Sequence, residues 1–295
     1  MTSERKYDVE YGSQGGRDYA MVSGISCFSV RKTFDCGQAF RFEPDDEEGR
    51  SFSGKAHGRD IRLIQEDEKT VRIIGTGEDD FEKIWRRYLA LDEDYEKANR
   101  CIVEAMVTEQ ARIVMSEAVK CGTGIRILRQ DPFEALISFI ISQNNNIPRI
   151  KKIIAALCET YGVNGAFPTP SALVKAGVEG LFALRTGFRA SYIYDAAKKV
   201  LDGEISLESI EECSDYEECT RVLCSIKGVG PKVSSCALLY GFGKTEAFPI
   251  DVWMKRSLER HFPDGFDPKR LGRYAGIAQQ YLFYYERWLG GGEEQ

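Results

Sequence analysis

The residues best able to do chemistry are a lysine and an aspartate near the C-terminal end of the sequence. Lys232 lies in the first turn of a predicted helix, directly after the turn Gly228-Val229-Gly230, and Asp251 follows 19 residues later. A lysine amine can act as a nucleophile and form a Schiff base. A nearby carboxylate can stabilise a developing positive charge, although most aspartates at helix starts are N-caps alone. The pair indicates covalent catalysis positioned by a helical hairpin.

The glycine turn separates two predicted helices and could bind an anion. Gly228 and Gly230 permit positive φ angles, and Pro231 suits the first turn of a helix, where it needs no N–H. The N–H groups that begin the second helix then point outward, where a phosphate can accept from them. Such a hairpin can hold the DNA backbone without reading its sequence, and it can equally be a purely structural turn.

The composition indicates a globular protein with local basic regions. Hydrophobic residues make up 43% and charged residues 29% of the chain, and the formal net charge is -6. Residues 141–200 carry eight Lys or Arg against three acids, and 221–260 carry seven against three, whereas 201–220 hold eight acids and no base. The two basic blocks suit a localised anionic partner, or they are ordinary solvated helix faces.

Neither the cysteines nor the histidines have the spacing of a metal site. The nine cysteines form no CxxC pair, and His57 and His261 have no partner histidine at ligand spacing. We therefore expect neither zinc nor an iron–sulfur cluster. No apolar run reaches the roughly 20 residues of a membrane span, and the polar N-terminus lacks a signal-peptide core. The expected protein is a monomer without membrane contact, cytoplasmic, and associated with the nucleoid in a prokaryote or nuclear in a eukaryote.

The hydrophobic pattern changes from strand-like to helical along the chain. From Ala20 to about Thr76, short alternating runs separated by polar turns predict an antiparallel sheet. Beyond it, apolar residues recur at spacings of three and four, which predicts helices. The sequence therefore predicts an α+β fold. An N-terminal antiparallel sheet domain would span 1–95, and a larger all-helical domain would span 96–290 with a helix-hairpin-helix motif at about 219–241.

Six stretches give the sequence a resemblance to a known family. They resemble, in order and over about residues 20–290, the 8-oxoguanine DNA glycosylase/AP lyase branch of the helix-hairpin-helix (HhH-GPD) DNA glycosylase superfamily. Six separated matches are far more specific than one, and the family fold agrees with the predicted architecture. The stretches are DCGQAFRF (35–42), SQNNNIPRI (142–150), LRTGFRASYI (184–193), GVGPKVSSC (228–236), PIDV (249–252) and YAGIAQQYLF (274–283).

The resemblance implies roles for both reactive residues. In the family, the damaged base is flipped out of the duplex and a lysine attacks C1′ of its sugar. Lys232 would be this nucleophile, and Asp251 would stabilise oxocarbenium character. The Schiff base then permits β-elimination, which nicks the strand. The implied activity is excision of 8-oxoguanine opposite cytosine in double-stranded DNA. No organic cofactor is needed, and the family often holds a monovalent cation at the hairpin.

The resemblance also assigns contacts with the damaged base and the opposite strand. Gly37 would present its carbonyl to the N7–H group that distinguishes 8-oxoguanine from guanine. Phe283 would stack on the base, Gln279 would bind its Watson–Crick edge, and Cys236 would close the other side. The residues expected to fill the gap in the duplex and contact the orphaned cytosine are Asn144, Arg149, Phe188 and Arg189.

Two positions depart from the family pattern, and two alternative functions stay open. Phe188 stands where tyrosine is common, and Trp253 stands where histidine is expected, which bears on opposite-base preference and turnover. One alternative is a related helix-hairpin-helix glycosylase for another damaged base, against which the matched base-contact residues argue. The other is a non-catalytic helix-hairpin-helix DNA-binding protein. Such a protein would need neither Lys232 nor Asp251.

Overall fold

The structure, a computed structural model, describes residues 6–289 and divides them into two compact units. The first unit comprises 6–55, 59–129 and 250–289, and the second comprises 56–58 and 130–249. The sequence predicted a boundary near residue 95, where the sheet pattern has ended. The compact units divide the chain differently, because the C-terminal helix Ala275–Leu289 packs against Glu109–Gly122 in the first unit. The boundary at residue 95 stays a prediction about folding domains.

Six strands form one antiparallel sheet, which confirms the predicted α+β class. Val71 and Ile73 are fully buried on one strand and pair with Val22 and Ala20 on the next, so apolar cross-strand pairs stabilise the centre of the sheet. The strands are Asp8–Gln14 (β1), Arg17–Ser23 (β2), Phe42–Pro44 (β3), Ser51–Ala56 (β4), Arg59–Asp67 (β5) and Thr70–Ile74 (β6). Their order across the sheet is β1-β2-β6-β5-β4-β3.

The sheet begins earlier than the sequence pattern predicts. The alternating pattern starts at Ala20, whereas β1 starts at Asp8 and lies mostly exposed at the sheet edge. An exposed edge strand needs no buried face, so its backbone pairing with β2 defines it and its side chains do not. The strand-like run that starts at Met21 belongs to β2. This strand ends at Ser23 because the following Gly24 has a φ of +77°.

Helices make up most of the remaining described residues. The α-helices are Val30–Phe34 (α1), Glu78–Asp80 (α2), Arg86–Tyr88 (α3), Tyr95–Glu104 (α4), Glu109–Gly122 (α5), Pro132–Ser142 (α6), Ile147–Tyr161 (α7), Pro170–Leu181 (α8), Ala190–Leu201 (α9), Leu207–Glu212 (α10), Tyr216–Cys224 (α11), Pro231–Tyr240 (α12), Val252–His261 (α13) and Ala275–Leu289 (α14). Short π-helical or 3₁₀ segments are Phe81–Trp85, Phe182–Thr186, Gly187–Arg189 and Pro268–Tyr274. Among the described residues, none of these helices combines the length and the hydropathy that crossing a membrane requires.

In the first unit, α14 packs closely on α5 through a glycine. A Cβ atom at Gly122 would lie 2.5 Å from Cδ1 of the buried Tyr281 ring. Any side chain larger than hydrogen would force the two helices apart, because packed interiors have no spare volume. This contact fixes α14, the helix that carries Gln279 and Phe283.

In the second unit, α6 and α12 form the centre of the core. The residues of α6 from Phe133 to Ile141 are buried, and so are those of α12 from Val233 to Tyr240. The rings of Phe139 and Tyr240 stack with centroids 5.2 Å apart. The apolar body of α12 therefore anchors its first turn, which carries Lys232.

Candidate functional site

The hairpin turn, residues 225–230, joins α11 to α12 and leaves the start of α12 without a side-chain cap. Gly228 has a φ of +76°, which favours glycine, and Gly230 occupies the N-cap position with no side chain to bond the first-turn N–H groups. By contrast, Asp131 caps α6 and Asn146 caps α7. An uncapped helix start with outward N–H groups is suited to an anion.

Lys232 lies half-buried in the first turn of α12. Its Nζ atom is 5.7 Å from the centroid of the buried Phe139 ring, which holds the side chain against an apolar surface. Within the described part of the second unit, the amine has no carboxylate in ion-pair range. One turn later, Cys236 is buried on the same helix. The amine is therefore not committed to a structural ion pair inside its own unit.

The three asparagines of the asparagine loop, residues 143–146, have different local roles. Asn145 donates from Nδ2 to the carbonyl of Ile141 at 3.1 Å, and the Asn146 side chain accepts the N–H of Arg149 at 3.0 Å. Asn144 is exposed and adopts a φ of +47°, a conformation that asparagine tolerates better than most residues. Two of the three are thus explained by helix ends, and Asn144 is the one whose side chain faces outward.

Arg189 is buried, with 3% of its surface exposed, and it holds the asparagine loop from inside. Its guanidinium donates to the carbonyls of Gln143 at 2.8 Å, Asn144 at 2.8 Å and Thr186 at 3.2 Å. Burial lowers the pKa of Arg189 below its ordinary value, and the nearby positive charge of Arg149 lowers it further. A contact with cytosine therefore stays a prediction for Arg189, whose donors here bind backbone carbonyls.

The neighbours of Arg189 are exposed, as expected of residues that touch a partner. Phe188 has 53% of its surface exposed, and its ring lies 4.4 Å from the Arg189 guanidinium carbon. Arg149 is exposed at the start of α7, with Nη2 3.4 Å from the carbonyl of Arg185. The second unit thus brings together Phe188, Arg189, Asn144 and Arg149.

In the first unit, Gly37 lies in a loop that a buried glutamine holds rigidly. Gly37 has a φ of +82°, so any side chain there would be strained. The fully buried Gln38 donates from Nε2 to the carbonyls of Thr33 and Arg126, both at 2.8 Å, and its Oε1 accepts the N–H of Leu128 at 2.9 Å. These bonds fix the backbone on the C-terminal side of Gly37.

The helix α14 carries Gln279 and Phe283 on one face, and its Gln280 binds the loop that contains Gly37. Gln280 donates from Nε2 to the carbonyl of Cys36 at 3.1 Å. Gln279 is 6% exposed, and its buried Oε1 has no hydrogen-bond partner in the described structure. A buried amide oxygen without a donor is costly, so Gln279 is poised to accept from a ligand.

Asp251 and Trp253 lie at the start of α13. The Asp251 carboxylate accepts the N–H of Met254 at 2.7 Å, which confirms the N-cap role. Trp253 is 37% exposed and meets Phe283 edge to face, with ring centroids 5.5 Å apart. Farther along α13, Arg260 forms an ion pair with the buried Glu286 of α14, with Nη1 3.6 Å from Oε2. The ring pair and the ion pair both join α13 to α14.

The predicted site residues thus form one set in each unit. Sequence reasoning missed Gln38, Gln280 and Glu286, whose signal was a polar residue inside an apolar stretch. No group of three or more potential metal ligands occurs among residues 6–289. The second unit holds Asn144, Arg149, Phe188, Arg189, the hairpin turn, Lys232 and Cys236, and the first holds Gly37, Asp251, Gln279 and Phe283.

Comparison with known proteins identifies the family of the chain. Residues 22–136 match the family described as 8-oxoguanine DNA glycosylase, N-terminal domain. Residues 137–271 match the HhH-GPD superfamily base excision DNA repair protein family. These two adjoining matches have the order that the sequence predicted, with the sheet first and the helices after.

Two relatives agree with these matches. An N-glycosylase/DNA lyase of Saccharomyces cerevisiae is 37% identical over 47% of this chain and 42% of that protein. A probable N-glycosylase/DNA lyase of Methanothermobacter thermautotrophicus is 32% identical over 60% of this chain and 68% of that protein. The chain therefore matches less than half of the yeast protein and about two thirds of the archaeal one.

The structural match covers nearly the whole chain. The 8-oxoguanine glycosylase/lyase of Clostridium acetobutylicum, in complex with double-stranded DNA containing cytosine opposite 8-oxoguanine, is 34% identical. It aligns with a TM-score of 0.84 over 97% of this chain and 99% of that one. Together with the two adjoining family matches, this places the chain in the 8-oxoguanine DNA glycosylase family of the HhH-GPD superfamily.

Proposed function

We propose that the chain is a bifunctional DNA glycosylase that excises 8-oxoguanine from double-stranded DNA and nicks the resulting abasic site by β-elimination. Family membership supports the reaction class, and the Clostridium relative with cytosine opposite 8-oxoguanine supports the choice of base pair. The observation that carries the proposal is the position of Lys232, a half-buried residue in the first turn of an uncapped helix, directly after the hairpin turn.

In the proposed reaction, the amine of Lys232 replaces the damaged base at C1′ of the sugar. The bond between C1′ and the base breaks as positive charge develops on the sugar, and the carboxylate of Asp251 stabilises that charge. The new bond between C1′ and Nζ becomes a Schiff base when the sugar ring opens. Removal of a C2′ proton then expels the 3′ phosphate, which nicks the strand. The N-cap bond to Met254 fixes the orientation of the Asp251 carboxylate.

Lesion recognition in this proposal rests on one hydrogen bond and one stacking surface. The carbonyl of Gly37 accepts N7–H of 8-oxoguanine, whereas guanine presents an acceptor at N7 and is repelled, a difference of about 1–3 kcal/mol. The unpartnered Oε1 of Gln279 accepts from the Watson–Crick edge of the flipped base. Phe283 stacks on one side of the base and Cys236 closes the other.

The remaining predicted contacts bind the duplex. The N–H groups at the start of α12 bind a phosphate, together with a monovalent cation at the hairpin turn, and no organic cofactor takes part. Phe188 enters the space left by the flipped base, and the forked donors of arginine suit the acceptors of the orphaned cytosine. The contacts with the orphaned cytosine and its strand are assigned to Asn144, Arg149 and Arg189.

Borohydride trapping tests the proposal directly. The wild-type protein is mixed with an 8-oxoguanine:cytosine duplex and borohydride, beside Lys232→Gln and a matched control, Lys227→Gln, from the same hairpin turn. With the damaged duplex, we expect a covalent protein–DNA band for the wild type and for Lys227→Gln, and no band for Lys232→Gln. An undamaged duplex should give no band. Absence of a wild-type band under conditions where the duplex is bound would overturn the lyase proposal and favour a DNA-binding module. Adducts on other damaged bases alone would favour a related glycosylase.

A further inference from the structure

One face of α9 holds the hairpin turn from outside. The carboxylate of Asp195 accepts the backbone N–H of Lys227 at 2.7 Å. One turn along the helix, the amine of Lys199 donates to the carbonyl of Ser225 at 2.5 Å. Asp195 and Lys199 also form an ion pair at 3.2 Å, and both are largely shielded from solvent. The ion pair therefore binds a backbone N–H and a backbone carbonyl on either side of Ile226. We call Asp195 and Lys199 together the clamp.

A third residue of the same face supports the glycine of the turn. A Cβ atom at Gly228 would lie 2.3 Å from two atoms of the Tyr192 ring, so the backbone of the turn rests directly on that ring. The other side of Tyr192 meets Phe188 edge to face, with ring centroids 5.7 Å apart and planes at 69°. A continuous contact thus runs from Phe188 through Tyr192 to the hairpin turn.

The spacing of these residues explains how one helix can make all the contacts. Tyr192, Asp195 and Lys199 follow one another at intervals of three and four, so they lie on the same face of α9. Directly before α9, Arg189 bonds to the asparagine loop. The hairpin turn and the asparagine loop are therefore both held by α9 or by the residue directly before it.

The charges of the clamp have a consequence for phosphate binding. A lone carboxylate beside a turn that binds phosphate would repel the phosphate, because like charges raise the free energy of the complex. Lys199 neutralises Asp195 while both bind the backbone of the turn. The arrangement thus provides the rigidity of a charged hydrogen bond without a net negative charge.

We propose that Tyr192, Asp195 and Lys199 are positioning residues that hold the hairpin turn in its phosphate-binding shape and set its distance from Phe188. The inference rests on the proposed function, since it assigns these residues to the same DNA site. None of the three reacts with the sugar. Their effect is on the affinity for the duplex and on the alignment of Phe188 with the hairpin turn.

The test compares Asp195→Ala, Asp195→Asn, Lys199→Ala and the double variant Asp195→Asn/Lys199→Ala. The matched control is Asp202→Ala, which removes a similar ion pair, with Lys198, from the same helix without touching the hairpin turn. Fluorescence anisotropy gives the affinity for an undamaged duplex over a range of salt concentrations. Borohydride trapping at saturating 8-oxoguanine duplex gives the rate of the covalent step, and urea unfolding reports stability.

The clamp predicts a pattern that a general loss of stability would not produce. Asp195→Ala and Lys199→Ala should each weaken duplex affinity about 3- to 10-fold, with the trapping rate at saturation within about threefold of wild type. Asp195→Asn keeps an acceptor for Lys227 N–H and should lose less. The double variant should bind better than Lys199→Ala alone, because no carboxylate is left to repel the phosphate.

Two results would separate the inference from the function on which it rests. If Asp195→Ala and Lys199→Ala bind duplex as Asp202→Ala does, or if the double variant binds worse than Lys199→Ala, the positioning role is refuted while trapping by the wild type still stands. If the wild type forms no adduct yet the clamp variants lose affinity as described, the proposed chemistry fails and the positioning role survives as part of a DNA-binding surface. Tyr192→Leu is a second probe, expected to weaken affinity through the ring contacts alone.

Discussion

Replacement of Gln38 by methionine should uncouple base excision from strand nicking. Gln38 is fully buried beside Gly37, and its side-chain amide bonds to backbone groups of Thr33, Arg126 and Leu128. Methionine has a similar length and fills the same space without either a donor or an acceptor of comparable strength. Gln38→Met therefore isolates the hydrogen bonds of the Gly37 loop from its packing.

The expected loss of stability follows from the groups left unpaired. Each buried backbone group without a partner costs about 1–3 kcal/mol, and Gln38 serves two carbonyls and one N–H. The Cys36 thiol still bonds to the carbonyl of Thr33 at 3.3 Å, which relieves part of the cost. We expect a loss of about 3–5 kcal/mol, a large share of the 5–15 kcal/mol typical of a folded domain. Gln280→Met, which removes the bond to the Cys36 carbonyl, should cost about 1–2 kcal/mol.

Urea unfolding followed by tryptophan fluorescence measures these losses of stability in the first unit, which contains Gln38. All three tryptophans of the chain fall within the first compact unit, so the signal reports on the part that contains Gln38. A loss below about 1 kcal/mol for Gln38→Met would show that water or a rearranged loop satisfies the backbone groups. The reasoning from hydrogen bonds would then be wrong.

The activities should respond unequally. In the proposed function, excision of 8-oxoguanine needs the Gly37 carbonyl in register with N7–H, and a displacement of about 1 Å can cost on the order of 100-fold in rate. Nicking of a preformed abasic site, by contrast, is proposed to need Lys232 but no base recognition. At a temperature where the variant is folded, Gln38→Met should lower excision about 10- to 100-fold and change abasic-site nicking less than about threefold. Equal losses in both assays would refute a base-reading role for the Gly37 loop.

Three further outcomes follow from the site. Asp251→Asn keeps an equally good N-cap, so the free energy of unfolding in urea should change by less than about 0.5 kcal/mol while the single-turnover rate of excision falls about 100- to 1000-fold. Asp131→Asn, at another N-cap, is the control. Equal excision rates for Asp251→Asn and the wild type would contradict the charge role. Phe283→Ala should reduce 8-oxoguanine excision at least about tenfold in a gel assay and spare abasic-site nicking, because stacking concerns only the base. Burial raises the pKa of the Cys36 thiol to about 12, so at pH 8 about one molecule in 10,000 is a thiolate. Mass spectrometry should therefore find Cys36 alkylated by iodoacetamide in urea but not in the native protein, and rapid native labelling would show that the Gly37 loop opens.

The sequence was sufficient where local chemistry decides the structure. Pro231 after the turn Gly228-Val229-Gly230 predicted the start of a helix, and α12 begins at Pro231. The alternation of Val71 and Ile73 likewise predicted a strand with one buried face. In both cases the signal and its physical cause lie within a few residues of each other, so no tertiary information was needed.

The sequence was insufficient where a distant partner decides the role of a residue. The sequence assigned Arg189 only a contact with DNA, whereas in the structure its buried guanidinium binds carbonyls of the asparagine loop, 45 and 46 positions away. No sequence pattern singled out Asp195, and only the fold brings its carboxylate to the N–H of Lys227. Periodicity assigns such residues to a helix face, but it cannot tell what lies against that face.

Unused bonding capacity indicates a ligand only together with other observations, because Ser257 and Tyr281 also bury side-chain oxygens without a hydrogen-bond partner among the described residues. Asp251 caps a helix, so its hydrogen bonding alone does not reveal the charge-stabilising role proposed for it. Gln279 is different, because its buried Oε1 has no partner, and burial without a partner costs about 1–3 kcal/mol that folding alone does not recover. Lys232 is half-buried against Phe139 and forms no ion pair with the described residues of its own unit. A donor from a ligand would complete the bonding of Gln279, and an electrophilic carbon would engage the amine of Lys232. In the proposed function, a flipped 8-oxoguanine nucleotide supplies both, a donor from its base and C1′ of its sugar.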